Sequence, residues 1–139
     1  MYCRDIVKAA FDEAGKPVVR HNAARNKEKK MNIDFGSMNP DIKEDFKGGS
    51  GKLGMKASDD GNVRIMELTL EPGASIGMHT HEGDCEVVYI LSGTGKAIYD
   101  GGEEKLEPGI CHYCPEGHSH SIMNDGSSEL RFFAVVPKR

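Results

Sequence analysis

The chain has 139 residues, which is enough for one domain with a sizeable core and too few for two. Its seventeen glycines and lack of tryptophan indicate short strands joined by tight turns more than a helical bundle. Residues 1–30 carry eight basic and four acidic side chains, whereas residues 31–139 carry ten and eighteen, so the larger part lacks the clustered positive charge that nucleic-acid binding needs. We therefore expect an all-β protein with no nucleic-acid partner.

Apolar residues recur at helical spacing near the N-terminus. Between Arg4 and Ala14 they lie three or four positions apart, and a glycine and a proline follow as stop signals. We predict a short amphipathic helix here, followed by a charged linker over residues 20–30 that is interpreted as solvated. The chain is thus divided into an arm, residues 1–30, and a β-domain, residues 31–139. The arm either packs on the β-domain or a partner subunit, or it frays.

The N-terminal residues lack the apolar stretch that a signal peptide needs. No stretch approaches the roughly 20 apolar residues of a transmembrane helix. We therefore expect a cytoplasmic protein with no membrane partner. A chain of this size can fold on its core without a disulfide framework, so we predict free thiols at all four cysteines: Cys3, Cys85, Cys111 and Cys114.

Strand signals follow one another quickly after residue 63, and turn-forming residues separate them. The glycine-rich stretch at residues 48–54 is predicted to be a loop. The predicted strands are Val63–Leu70, Glu86–Leu91, Gly95–Tyr99, Gly109–Cys114, His120–Met123 and Leu130–Val136. This rhythm is typical of a β-sandwich or a β-barrel.

Histidines are concentrated in the strand region, where five of the six lie between residues 79 and 120. His79 and His81 are two apart, so on a strand both side chains leave the same face from backbone positions roughly 6.6 Å apart. The turn at residues 82–84 reverses the chain, and Glu86 opens the return strand. Its carboxylate can therefore reach the same point as the two imidazoles.

A third imidazole, that of His120, follows a Pro/Gly turn at residues 115–117. Three neutral imidazoles and one carboxylate suit divalent Fe, Mn, Co, Ni or Zn, and argue against Ca, Mg and thiolate-bound metals. We predict one such ion per chain, bound by His79, His81, Glu86 and His120. Four protein ligands leave one or two coordination positions for a substrate or water. The alternative is that these polar residues are relics in a barrel without a metal.

The stretches GASIGMHTHEGDCEVVYILSG, residues 73–93, and GICHYCPEGHSHSIMN, residues 109–124, resemble the two signature motifs of the cupin superfamily. Every defining position is filled and both spacings are kept. The resemblance implies a small single-domain cupin, a jelly-roll (double-stranded β-helix) barrel, and assigns the four residues above to the metal. Related single-domain cupins commonly pair their sheets, so a homodimer is expected. The resemblance gives turn roles to Gly73, Gly93, Gly109, Pro115, Gly117 and Asn124.

Several residues near the predicted site have two interpretations. His118 lies two positions before His120 and is either a candidate acid/base group beside the ion or a turn histidine at the barrel mouth. His112 is assigned a surface or packing role. Cys111 and Cys114, three apart on a strand, should point to opposite faces.

Methionines and basic residues are further candidates for the predicted pocket. Three methionines are interpreted as pocket wall: Met66, Met78 and Met123. Three basic residues lie on the predicted strands, and any one that faces inward could anchor a carboxylate, although a solvated position is favoured for each: Arg64, Lys96 and Arg131.

Two functions fit these features. The first is a metal-dependent enzyme on a small oxygenated substrate, and the resemblance implies a dioxygenase, a decarboxylase or a sugar or uronate isomerase or lyase. The alternative is a non-catalytic binding or sensing protein in which the metal anchors a carboxylate ligand. A third possibility is that the arm docks on another protein. The fold alone does not choose among them.

Overall fold

The computed structural model of the protein describes residues 13–15 and 30–139. The chain divides into two compact units, Met1–Asn32 and Ile33–Arg139. In the first unit, residues 13–15 form an exposed turn. The helix predicted over residues 4–14 lies outside the described residues except for its last two positions. Within the described part of the chain, no helix has the length and apolar content needed to cross a membrane.

The second unit is built from strands. Short 3₁₀ turns at Phe35–Ser37 and Phe46–Gly48 flank its first strand. Its strands are β1 (Asp41–Glu44), β2 (Lys52–Asp59), β3 (Val63–Leu70), β4 (Ser75–Thr80), β5 (Glu86–Ser92), β6 (Gly95–Tyr99), β7 (Gly102–Leu106), β8 (Cys111–Cys114), β9 (Ser119–Met123) and β10 (Leu130–Pro137).

The strands form two antiparallel sheets. The larger has the order β1-β2-β3-β10-β5-β8, and the smaller has the order β4-β9-β6-β7. Consecutive strands β4 and β5 therefore lie in different sheets, and so do β8 and β9, so the chain passes repeatedly between the two layers. This arrangement confirms the predicted all-β jelly-roll architecture.

Alternation along the strands fills the space between the sheets. In β10, Leu130, Phe132, Ala134 and Val136 are buried, and the residues between them face outward or are half-buried. Because successive side chains of a strand point to opposite faces, this period of two produces one apolar face. Buried side chains from β2 to β7 and from β9 complete the same core.

The predicted loop at residues 48–54 is wrong at its end, because β2 begins at Lys52. Leu53 is 1% exposed and belongs to the core, and Gly54 pairs with Ile42 of β1. The three residues of this stretch that belong to β2 are too few to show the two-residue period of a strand. The sequence likewise missed β1 and β7, which are edge strands with almost no buried side chains. Edge strands need little apolar content, so periodicity does not reveal them.

Candidate metal centre

Four side chains converge between the two sheets, at the end where β4, β5 and β9 meet. His79 on β4 pairs directly with His120 on β9, next to an irregularity in the register of β4 that follows Ile76. His81 comes immediately after β4, and Glu86 opens β5 after the turn. One ligand atom from each of the four predicted residues lies within 4.8 Å of the others, so this group could hold a metal ion.

The ligand atoms have the spacing of neighbours around one ion. The Nε2 atom of His120 lies 3.0 Å from Nε2 of His81 and 3.1 Å from Nε2 of His79. It also lies 3.2 Å from Oε1 of Glu86. Two donors bound at about 2.1 Å and at right angles to each other are about 3.0 Å apart. The four residues thus fit a single transition-metal ion.

Each imidazole of the cluster is oriented by a partner at its other nitrogen. Nδ1 of His79 donates to the carbonyl oxygen of Gly77 at 2.8 Å. Nδ1 of His81 donates to the Asp84 carboxylate at 2.7 Å. A carbonyl oxygen and an ionised carboxylate can only accept hydrogen bonds. Both rings therefore carry their proton on Nδ1. Their Nε2 lone pairs are left for a cation, which is the arrangement that metal-binding histidines require.

His120 completes the set through a fourth histidine. Its Nδ1 lies 2.9 Å from Nε2 of His112, and the two rings stack with centroids 5.2 Å apart. The tautomer of His120 that donates a hydrogen bond from Nδ1 to His112 leaves its Nε2 free for a cation, as in the other two rings. The other tautomer donates from Nε2 to the Glu86 carboxylate. His112 is 7% exposed. The surface or packing role expected for His112 is therefore incomplete, because this residue also forms a hydrogen bond with a candidate ligand.

Electrostatics favour the ligand-competent protonation states. Burial lowers the pKa of His79, and the nearby charge of Lys47 lowers it further, against the opposing effect of the Gly77 hydrogen bond. Burial alone would raise the pKa of Glu86, but the hydrogen bond and charge of His120, with His81 and His79, outweigh it and lower the pKa. Positive charge in the cluster, from a proton or from a metal ion, therefore keeps Glu86 ionised.

A cavity of about 200 Å³ opens beside the cluster, and His79, His81 and Glu86 contribute to its wall. Its apolar wall is formed by Phe46, Met55, Met66, Leu68, Ile76 and Val136. Its charged rim is formed by Lys47, Arg64, Lys138, Glu82 and Asp84. This volume is below the range of roughly 300–1,000 Å³ for drug-sized ligands, so it suits a molecule of only a few heavy atoms.

His118 is placed apart from this cavity. Its side chain is 60% exposed, and Nδ1 lies 3.4 Å from the Asp100 carboxylate. It lines a second cavity, of about 190 Å³, on the side of His120 that faces His112. The acid/base role of His118 stays a prediction, without support from the lining of the first cavity.

The other predicted pocket residues divide between the cavity and the surface. Met66 and Arg64 line the cavity. Met78 does not, because it alternates with His79 and is 51% exposed. Lys96 and Arg131 are engaged in surface ion pairs, with Glu103 at 3.4 Å and Glu67 at 3.0 Å.

The two cysteines of β8 point to opposite faces, as predicted. Cys111 is exposed, whereas Cys114 is buried and burial raises its pKa to about 11. Because the thiolate is the reactive form, we expect iodoacetamide at pH 8 to alkylate Cys114 at least roughly tenfold more slowly than Cys111 in the folded protein. Peptide mass mapping would measure both rates, and equal rates before unfolding would contradict the burial of Cys114.

The fold and the cluster together define a jelly-roll barrel with a candidate mononuclear metal centre, and comparison with known proteins agrees. The family model for the cupin domain, Cupin_2, matches residues 66–136. The oxalate-binding protein of Thermotoga maritima is 32% identical over 112 residues, which cover 76% of this chain and 93% of that protein. The chain therefore belongs to the cupin domain family, and the resemblance of its two motifs is confirmed.

Solved structures support the same assignment. A crystal structure from Thermotoga maritima, described as a predicted oxalate decarboxylase, matches with a TM-score of 0.74 and 30% identity, over 78% of this chain and 100% of that one. A cupin 2 conserved barrel domain protein from Salinispora arenicola matches with a TM-score of 0.60 over 81% of this chain and 91% of that one. Its identity of 19% makes it evidence for the fold alone.

Proposed function

We propose that this cupin holds one divalent transition-metal ion through His79, His81, Glu86 and His120, and binds a small carboxylate at that ion. The observation that carries the proposal is the orientation of the three imidazoles. Nδ1 of His79 and of His81 is engaged by an oxygen acceptor, and Nδ1 of His120 faces His112, so the Nε2 atoms of the three rings and a carboxylate oxygen of Glu86 face a common point. Such a set is costly to bury without a cation.

The charge of the site supports a carboxylate as the ligand. Three neutral imidazoles and one carboxylate leave a divalent ion with one unit of positive charge. When bound, the ion would act as a Lewis acid with open positions for ligand oxygens. The rim has three basic and two acidic side chains, and the cavity admits only a small molecule. A relative at 32% identity is named an oxalate-binding protein, which makes oxalate the first ligand to test.

Calorimetry of the Mn(II)-loaded chain with oxalate tests this function. We expect one oxalate per chain, and no binding after the metal is removed with a chelator and the chelator is dialysed away. Loaded protein that takes up neither oxalate nor another small carboxylate would contradict the proposal.

Turnover is the second candidate function, and a match described as a predicted oxalate decarboxylase favours it. Two carboxyl groups on the rim, those of Glu82 and Asp84, could exchange protons with a bound ligand, although Asp84 already accepts from His81. Formate and CO₂ formed from oxalate by the loaded chain would support a decarboxylase, and binding without turnover would favour the carrier or sensor. The role of His118, the homodimer and the division at residue 30 remain predictions.

A further inference from the structure

A strained turn contributes Phe46 and Lys47 to the lining of the cavity. Asp45 and Lys47 have φ values of 51° and 54°, in the left-handed region that residues with a Cβ rarely occupy. Both flank Phe46, whose ring lies on the cavity wall. Backbone conformations of this kind persist only where the surrounding structure determines them, and they concentrate at functional sites.

Close backbone packing holds this turn against β4. A Cβ atom at Gly77 would overlap the carbonyl oxygen of Lys47, and a Cβ at Gly49 would overlap that of Ser75. Two hydrogen bonds between Asp45 and Gly51, of 3.0 and 3.1 Å, close the turn. Gly77 is also the residue whose carbonyl accepts from His79. The position of Lys47 is thus fixed by the same strand that orients a candidate ligand.

Lys47 differs from the other basic residues of the rim. Arg64 and Lys138 both lie 3.0 Å from the carboxylate of Asp59. No carboxylate lies within ion-pair distance of the Lys47 ammonium group in the part of the chain that the structure describes, and its recorded contact is with the ring of Phe46 at 5.6 Å. Of the two acidic residues on the rim, Asp84 is engaged by His81, and Glu82 forms no ion pair with Lys47. Lys47 therefore brings a positive charge without a fixed partner to the cavity.

We propose that Lys47 selects a dianionic ligand at the metal centre by neutralising the one negative charge of the ligand that the metal ion does not balance. A divalent ion with one carboxylate ligand has one unit of positive charge and balances a monoanion completely. A dicarboxylate such as oxalate leaves one negative charge, and the ammonium group of Lys47 compensates it. This inference rests on the proposed function, since it concerns a ligand bound at the same ion.

Oxalate and oxamate form a matched pair of probes, because they have nearly the same size and differ by one negative charge. In calorimetry of Mn(II)-loaded protein, we expect Lys47→Gln to weaken oxalate binding by about tenfold and to leave oxamate affinity and metal content unchanged. Lys47→Arg should retain the preference for oxalate. Lys43→Gln is the control, since Lys43 lies over the same Phe46 ring at 5.9 Å but does not line the cavity.

The outcomes separate this inference from the function on which it rests. Wild-type protein that binds both probes, with Lys47→Gln weakening them equally or not at all, would overturn the role of Lys47 and leave the metal-carboxylate function standing. Loss of the oxalate preference in Arg64→Gln instead of Lys47→Gln would also overturn it. Wild-type loaded protein that binds neither probe would overturn the function, and the inference with it.

Discussion

Replacing His120 with glutamine is expected to weaken metal binding by more than about a hundredfold, since even loss of a residue behind a ligand costs 10- to 100-fold. His120 is the centre of the cluster: its Nε2 atom lies 3.0 to 3.2 Å from a ligand atom of each of the other three residues. Without it, the remaining donors have no common neighbour. Competition with a chromophoric chelator would measure the affinity, and circular dichroism would establish that the variant folds.

His118→Gln is the matched control for this substitution. His118 lies two residues from His120, but its side chain is 60% exposed and points toward Asp100. We expect the control to bind metal like the wild type. A His120→Gln variant that keeps one tightly bound ion per chain, or a His118→Gln variant that loses it, would mean that the ligands have been assigned incorrectly.

Replacing His112 with phenylalanine is expected to lower metal affinity by about 10- to 100-fold, although His112 is not among the four proposed ligands. A phenyl ring can keep the stacking on His120 but cannot accept a hydrogen bond from its Nδ1. The orientation and the tautomer of His120 are then no longer fixed. The chelator competition assay applies here too, with the thermal stability of the metal-free protein recorded beside it.

His112→Gln distinguishes this positioning role from simple packing. The side-chain carbonyl of glutamine can accept the same hydrogen bond, so His112→Gln should recover part of the metal affinity that is lost in His112→Phe. Metal affinity that follows the stability of the metal-free protein in both variants would assign His112 to packing alone. Wild-type affinity in His112→Phe would remove it from the site altogether.

The convergence of the four candidate ligands could be predicted because their geometry is mostly local. His79 and His81 share a face through the period of a strand, and one tight turn brings Glu86 back to them. His120 was harder, since its pairing with His79 joins two distant strands. Its residue type and the preceding Pro/Gly turn indicate a third imidazole, and the resemblance of its motif to that of the cupins assigns this imidazole to the metal.

His112 and Lys47 could not be found in this way. The direction of His112 depends on the register of β8 against β5, where it pairs with Val88, and a four-residue strand has too short a pattern to fix its inward face. Lys47 lies in a glycine-containing turn that resembles an ordinary surface loop. Its proximity to the site comes from backbone packing against Gly77, a contact between distant segments. Local patterns carry no information of that kind.

The most direct test of the metal centre is elemental analysis of the full chain purified without chelators. The proposed function requires close to one divalent transition-metal ion per chain, and a matching loss in His120→Gln prepared in parallel. Protein that contains no metal, and that takes up none after reconstitution with Fe(II), Mn(II), Co(II), Ni(II) or Zn(II), would contradict the assignment of His79, His81, Glu86 and His120 as ligands.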